Sequence, residues 1–244
     1  MWFSVVLRMG KSSLPSGWRQ TGGKTELDYA ISLKMVLELR EIKVSEITGA
    51  IIGSVVPPVT SLMREAIRKV TGQEALVVNV DMNIGLEVLM DNPSSVGTDL
   101  IVGAVAGINR YPVPLILIDM GTATTSWVVN ENKEYIGGMI LPGIGVSMNS
   151  LTSRTAQLPR ISLDPPKRLI GKNTVECMQS GALYGNASCI DGMVDRIEEE
   201  LGQKATVVAT GGLARKIIPL CRHQIELDDE LLLRGLWIIY KKNK

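Results

Sequence analysis

Leu115-Ile-Leu-Ile-Asp119-Met-Gly-Thr-Ala-Thr-Thr125 is the stretch whose reading decides the fold. Four apolar residues, long enough for a buried strand, run into an acid, a glycine and three threonines. A strand ending in Asp-x-Gly-Thr makes a tight turn whose backbone N–H groups and hydroxyls can hold phosphate oxygens. The aspartate beside them can hold a cation, which offsets repulsion between its carboxylate and an anionic substrate. Phosphate chemistry is one reading of this stretch. A plain polar turn after a core strand is the other.

Outward from this strand, apolar runs alternate with helical patterns. Asp99 to Ile108 reads as a helix, and Asn109-Arg-Tyr-Pro-Val-Pro114 as the loop that leads into the strand. Upstream, Gly49 to Val56 is a short apolar run closed by Pro57-Pro58, hence a buried strand ending in a breaker. Val59 to Val70 then reads helical and Ala75 to Val80 reads as a strand. Glu26 to Ile42 carries apolar residues at Leu27, Ile31, Met35 and Leu39, which predicts an amphipathic helix on that stripe. Downstream come strands at Thr125 to Val129 and Tyr135 to Ile140, a glycine-rich loop, and a helix from about Ser147. Asn173 to Leu201 is a long helical stretch opened by a polar cap and kinked near Gly181. Ala205 to Ala209 is a strand ending in Thr210-Gly-Gly212. Strands alternating with helices throughout place the chain in the α/β class. The proline-bracketed loop divides it into halves, 1–113 and 114–244.

The chain has 244 residues, 45% hydrophobic and 21% charged, enough for a substantial core and too few charges for disorder. Net charge is +1 with no long basic run and few aromatics, so neither nucleic acid nor an anionic membrane is an expected partner. No apolar stretch reaches about 18 residues, so no spanning helix is expected. Cys177, Cys189 and Cys221 are widely spaced and odd in number, which reads as reduced thiols in a cytoplasmic protein. His223 is the only histidine, which excludes Ser-His-Asp and His-Glu-x-x-His chemistry. Acid–base work must therefore come from carboxylates, Lys, Tyr or Cys.

Four further motifs bear on chemistry. Gly10-Lys11-Ser12 resembles the end of a Walker A loop, but Val5 stands where that motif needs glycine, so it reads as a surface loop. Gly97-Thr98-Asp99 precedes a helix, and Asp99 is either an N-cap or a base that accepts a hydroxyl proton in phosphoryl transfer. Gly137 to Gly143 and Thr210-Gly-Gly212 are glycine pairs at strand ends that let a nucleotide approach the backbone or simply make turns. Asp-x-Gly-Thr after one strand, then Gly-Gly after a later strand followed by a helix, is the order in the actin, hexokinase and Hsp70 ATPase fold.

Taken together, the chain resembles the type III pantothenate kinases. The resemblance is carried by Asp91-Asn-Pro-Ser-Ser-Val-Gly-Thr-Asp99, Asp119 to Thr125, Gly137 to Gly143, Thr155-Ala-Gln-Leu-Pro-Arg160, Asn173 to Gly181 and Thr210-Gly-Gly212. Ile52 to Pro58 extends it into the first half, so it spans roughly Trp18 to the C-terminus. It implies two ribonuclease-H-like halves with a cleft between them. It also implies ATP-dependent phosphorylation of the primary alcohol of pantothenate, the first step of coenzyme A synthesis, by a cytoplasmic homodimer. The cofactors it implies are magnesium with ATP and a monovalent cation, potassium or ammonium.

By position, the resemblance makes Asp99 the proton acceptor and puts Gly97, Thr98, Asp99, Leu100 and Thr174 at pantothenate. Asp119 would hold the monovalent cation, and Gly121, Thr122, Gly211 and Gly212 would contact ATP. Three departures accompany these assignments. No Asp-x-Gly-Asn-Thr first ATP loop is present, Met1 falling near where that loop would end. The first half is thus expected to have its opening strand missing or altered, and Ser4 to Gly17 reads poorly as the usual strand pair. Leu100 stands where the family has Arg after the catalytic Asp, and Met90 where many members carry Tyr. A catalytically impaired binding or regulatory relative, or a kinase for another small alcohol, therefore remain alternatives.

Overall fold

The computed structural model describes residues 2–9, 12–19, 23–79 and 82–244. Gly10 and Lys11 of the expected surface loop lie outside the described residues, as does Val80 at the end of one expected strand. The chain begins with β1 (Trp2–Met9), β2 (Ser12–Arg19), α1 (Glu26–Leu39), β3 (Ile47–Ser54), α2 (Pro57–Thr71) and β4 (Ala75–Val77). Next come β5 (Glu87–Val88), α3 (Thr98–Arg110), β6 (Leu115–Met120), β7 (Ala123–Val129), β8 (Glu134–Pro142) and α4 (Ile144–Ser153). It ends with α5 (Thr174–Leu201), β9 (Thr206–Thr210), α6 (Ala214–Ile217), β10 (Glu226–Leu227) and α7 (Leu231–Lys242). Two compact units result: Met1–Leu86 with Asp91–Asn109 and Glu230–Lys244, and Glu87–Met90 with Arg110–Asp229. The chain thus passes into the second unit at the last residue of α3, Arg110, and returns its last helix to the first unit.

In the first unit the sheet runs β2-β1-β3-β4, with β1 antiparallel to both neighbours and β3 parallel to β4. The strand pair that Ser4 to Gly17 was not expected to make is present, with Val6 opposite Pro15. Its edge position is the reason: β2 has one unpaired side, and an edge strand tolerates proline, glycine and serine that a central strand would not. α1 opens on a capping box, the Thr25 hydroxyl accepting from the Asp28 N–H while the Asp28 carboxylate accepts from the Thr25 N–H at 2.7 Å. Those Thr25 bonds, the backbone one foremost, hold the Asp28 carboxyl below its ordinary value.

The stripe expected to bury α1 faces water. Leu27, Ile31, Met35 and Leu39 are 62, 51, 55 and 80% exposed, while Tyr29, Ala30, Leu33 and Leu37 enter the core. Both sets follow helical spacing, and the sheet selects the one whose aromatic and two leucines fill the space over Val5, Leu7 and Ile52. β3 ends before Pro57-Pro58 as expected, and the prolines themselves begin α2, because a proline in the first turn gives up only an N–H that has no helical partner. α2 buries Val59, Met63, Ala66 and Ile67 in the same core and ends on Gly72 in the left-handed conformation.

In the second unit the order is β10-β9-β6-β7-β8-β5. β6, β7 and β8 form an antiparallel meander, and β9 lies parallel to β6 on its other side. The central place of β6 explains its unbroken apolar run, Leu115 to Ile118 all being fully buried. Ile116 and Ile118 pack under α5 through Leu183, Ala187, Ile190 and Val194. Each of these side chains except Ala187 contributes about 1.5–3 kcal/mol by leaving water. α5 is capped as the sequence predicts, Asn173 Oδ1 accepting from the Glu176 N–H at 2.9 Å. Among the described residues the first unit has a two-stranded hairpin where the second has the three-stranded meander, and no strand equivalent to β6. No helix of the described residues is long and apolar enough to cross a membrane.

Candidate active site

The carboxyl end of β6 is where the Asp-x-Gly-Thr turn forms. Asp119 pairs in register with Thr210 of β9, so the Thr210-Gly-Gly212 turn begins beside it. Gly211 has φ +98, which side-chain-bearing residues rarely adopt. A β-carbon there would also sit against the Asp119 carboxylate and 2.6 Å from the Met120 nitrogen. Glycine is therefore required twice over, by backbone conformation and by close approach. The Leu213 N–H donates to the Met120 carbonyl at 3.3 Å, locking the two turns together.

The turn itself closes when the Gly121 N–H donates to the Ala123 carbonyl at 3.0 Å. Gly143, the N-cap of α4, donates its N–H to the Thr122 carbonyl at 3.0 Å. Asp119, Gly121, Thr122, Gly211 and Gly212 are thus brought together, with Gly121, Thr122 and Gly212 exposed and Asp119 half-buried. Such a set presents a hydroxyl and a carboxylate at one sheet end, suited to a phosphate chain with its cation.

The three threonines differ in a way the sequence does not reveal. Thr122 is exposed at the turn, whereas Thr124 is only 5% exposed, and its hydroxyl has no hydrogen-bond partner among the described residues. Thr124 faces a pocket of about 230 Å³ bordered by Ser147, Asn186 and Cys189. Thr122 lies in the turn ahead of β7 and Thr124 inside the strand, a difference set by where β7 starts, at Ala123.

In the first unit, Asp99 lies inside the first turn of α3 rather than at its N-cap, since the helix begins at Thr98. The Gly97 carbonyl accepts from the N–H groups of Leu100 and Ile101 at 3.0 and 3.2 Å, and the Leu100 N–H also donates to Asp99 Oδ1 at 3.0 Å. A β-carbon on Gly97 would stand 2.5 Å from Asp99 Oδ1, so glycine there leaves room for the carboxylate. Burial raises the Asp99 carboxyl above its ordinary value, opposed by the backbone bond from Leu100. A half-buried carboxylate with few donors is a better base than one in water. The Thr98 hydroxyl points to the Ser54 carbonyl at 3.5 Å, tying the start of α3 to the end of β3.

Thr174 is the exposed first residue of α5. It borders a pocket of about 520 Å³ in the second unit together with Ile144, Ser147, Met148, Cys177 and Met178. α4 links this pocket to the turn, its cap Gly143 binding Thr122 and its Ser147 lining the pocket.

Residues 5–196 match the type III pantothenate kinase family. The chain belongs to that family. The match starts ahead of Trp18 and takes in β1 from Val5 onward and all of β2. The chain is 44% identical over 220 residues to a type III pantothenate kinase of Bacillus cytotoxicus, covering 90% of this chain and 84% of that protein. Among solved structures, the activator of 2-hydroxyisocaproyl-CoA dehydratase from Clostridium difficile, with bound ADPNP, matches with a TM-score of 0.51. That match is at 12% identity and covers 98% of this chain and 94% of that one. The fold is that of the actin, hexokinase and Hsp70 ATPases, mixed α/β as the strand–helix alternation predicts.

Proposed function

We propose that this member of the family transfers the γ-phosphoryl group of ATP to the primary hydroxyl of pantothenate, giving 4'-phosphopantothenate and ADP for coenzyme A synthesis. The observation that carries this reading is the 44% identity to the Bacillus cytotoxicus type III pantothenate kinase over nine-tenths of the chain. In the reaction the pantothenate oxygen bonds to the γ-phosphorus as the bond to the leaving ADP oxygen breaks, and Asp99 takes the hydroxyl proton. Its raised pKa and half-buried position support that role. Gly97, Thr98, Leu100 and Thr174 contact pantothenate in this reading.

Gly121, Thr122, Gly211 and Gly212 hold the nucleotide, and the close approach that Gly211 permits supports this assignment. Asp119 holds a monovalent cation, potassium or ammonium, whose charge offsets that of the phosphates beside it. The carboxylate standing at an otherwise exposed, glycine-rich turn fits such an ion. Magnesium accompanies ATP, and the protein works as a homodimer in the cytoplasm.

Leu100, standing where the resemblance expects an Arg, favours one second reading, a relative that binds pantothenate without turning it over. A coupled assay of ADP release with pantothenate, run with and without potassium, separates the two. Pantothenate-dependent release stimulated by potassium supports the kinase. Binding seen calorimetrically with no ADP release supports the second reading.

A further inference from the structure

The last turns of α5 carry a second group of ionisable side chains. Asp195 and Glu198 are three residues apart, so they are neighbours on one helix face. His223, in the segment between α6 and β10, lies over them with Nε2 2.8 Å from Asp195 Oδ1. One turn earlier, Asp191 accepts from the Arg222 N–H at 2.9 and 3.0 Å and from the His223 N–H at 3.1 Å. The imidazole is thus held in place through its backbone by a carboxylate that takes no part in the group itself. One ligand atom each from Asp195, Glu198 and His223 lies within 4.8 Å of the other two.

The Glu198 carboxylate is buried, and its Oε1 accepts from the Ala205 N–H at 3.1 Å. Lys204 Nζ stands 2.6 Å from Glu198 Oε2, although the lysine side chain is 83% exposed. The buried Glu198 carboxylate therefore already holds a cation, supplied by a side chain that can swing into water at little cost.

We propose that Asp195, Glu198 and His223 bind a divalent transition metal of the zinc class, displacing the Lys204 ammonium. Two carboxylates and one imidazole suit zinc better than magnesium or calcium, which prefer oxygen alone. Three protein ligands with Asp195 exposed leave a fourth position for water. Tetrahedral zinc sets neighbouring ligands about 3.3 Å apart, so the Asp195–His223 pair opens by a few tenths of an ångström on binding. The site is roughly 30 Å along α5 from Thr174, so it is distinct from the pocket at that helix's start. Its ligands join α5 to the chain segment leading into β10, so zinc staples the two and stabilises the folded state.

The test uses tag-free, nucleotide-free full-length protein titrated with zinc chloride. Calorimetry follows binding, NMR follows the ring protons of the only imidazole, and thermal unfolding follows stability. The expected result is one equivalent bound, a shift of the His223 resonances and a raised Tm. His223→Gln and Asp195→Asn each weaken binding by at least about tenfold, while Lys204→Gln tightens it. Asp195, 57% exposed, is replaced without disturbing the core. Zinc that leaves the His223 resonances unmoved, or binds both ligand variants as it binds the native chain, overturns the proposal and assigns the metal to the exposed thiols of Cys177 or Cys189.

Discussion

The Asp119 carboxylate occupies the space that a side chain at Gly211 would need. Parallel pairing of β6 with β9, Asp119 opposite Thr210, brings the two turns to this distance. A change at either residue is therefore felt at the other.

Gly211→Ala should lower stability by about 1–3 kcal/mol, because it combines an unfavourable backbone conformation with a clash against backbone and carboxylate. It should also raise the KM for ATP. Gly202→Ala is the control: Gly202 has φ +69 but nothing within 4 Å of a new β-carbon. It should lower Tm and leave the KM for ATP unchanged. Thermal unfolding and initial rates on both variants check this.

Asp99→Asn should lower kcat by about 10²–10⁴-fold, the usual worth of a general base. Its stability should be equal to or above that of the native chain at neutral pH. Burial raises the folded-state pKa, so the folded protein binds this proton more tightly than the unfolded chain. The associated stability is present below the ordinary aspartate value and is lost as pH rises through the raised one. Activity follows the opposite sign, falling as pH descends through the raised pKa and protonates the base. Tm and kcat/KM measured against pH on both proteins check the two slopes.

Leu100→Arg should lower the KM for pantothenate by roughly tenfold to a hundredfold, the worth of one charge-assisted bond to the substrate carboxylate. The KM for ATP should not change. Steady-state kinetics with each substrate varied in turn reads both values, and an unchanged pantothenate KM removes the missing cation as an explanation of substrate choice.

Tyr111→Phe should cost about 1–3 kcal/mol, because the Tyr111 hydroxyl donates to the buried Asp228 carboxylate at 2.9 Å. Arg110, 3.6 Å from the same oxygen, should keep the cost from rising further. Denaturant unfolding of the variant gives the number. Kinetic constants per folded molecule should stay the same.

What the sequence reveals follows from how many constraints act on each segment. Leu115 to Ile118 is legible because a strand buried on both faces must be apolar throughout. Asn173 is legible because capping is local chemistry, complete within three residues. α1 defeats the periodicity argument because it carries two apolar stripes, and only the shape of the sheet chooses Leu33 and Leu37 over Ile31 and Met35. β2 is illegible for a related reason, since Ser-Ser-Leu-Pro-Ser-Gly-Trp-Arg has little strand propensity and depends on β1 beside it. At the candidate site the motif order identifies the turns, whereas the contrast between Thr122 and buried Thr124 needs the point at which β7 begins.

The most direct measurement is mass spectrometry of the products after incubating the purified chain with pantothenate, magnesium, ATP and potassium. The account predicts 4'-phosphopantothenate in a one-to-one ratio with ADP, formed at least about a hundredfold more slowly by Asp99→Asn. Native chain that yields no phosphopantothenate, or an Asp99→Asn variant that yields as much as the native one, would contradict it.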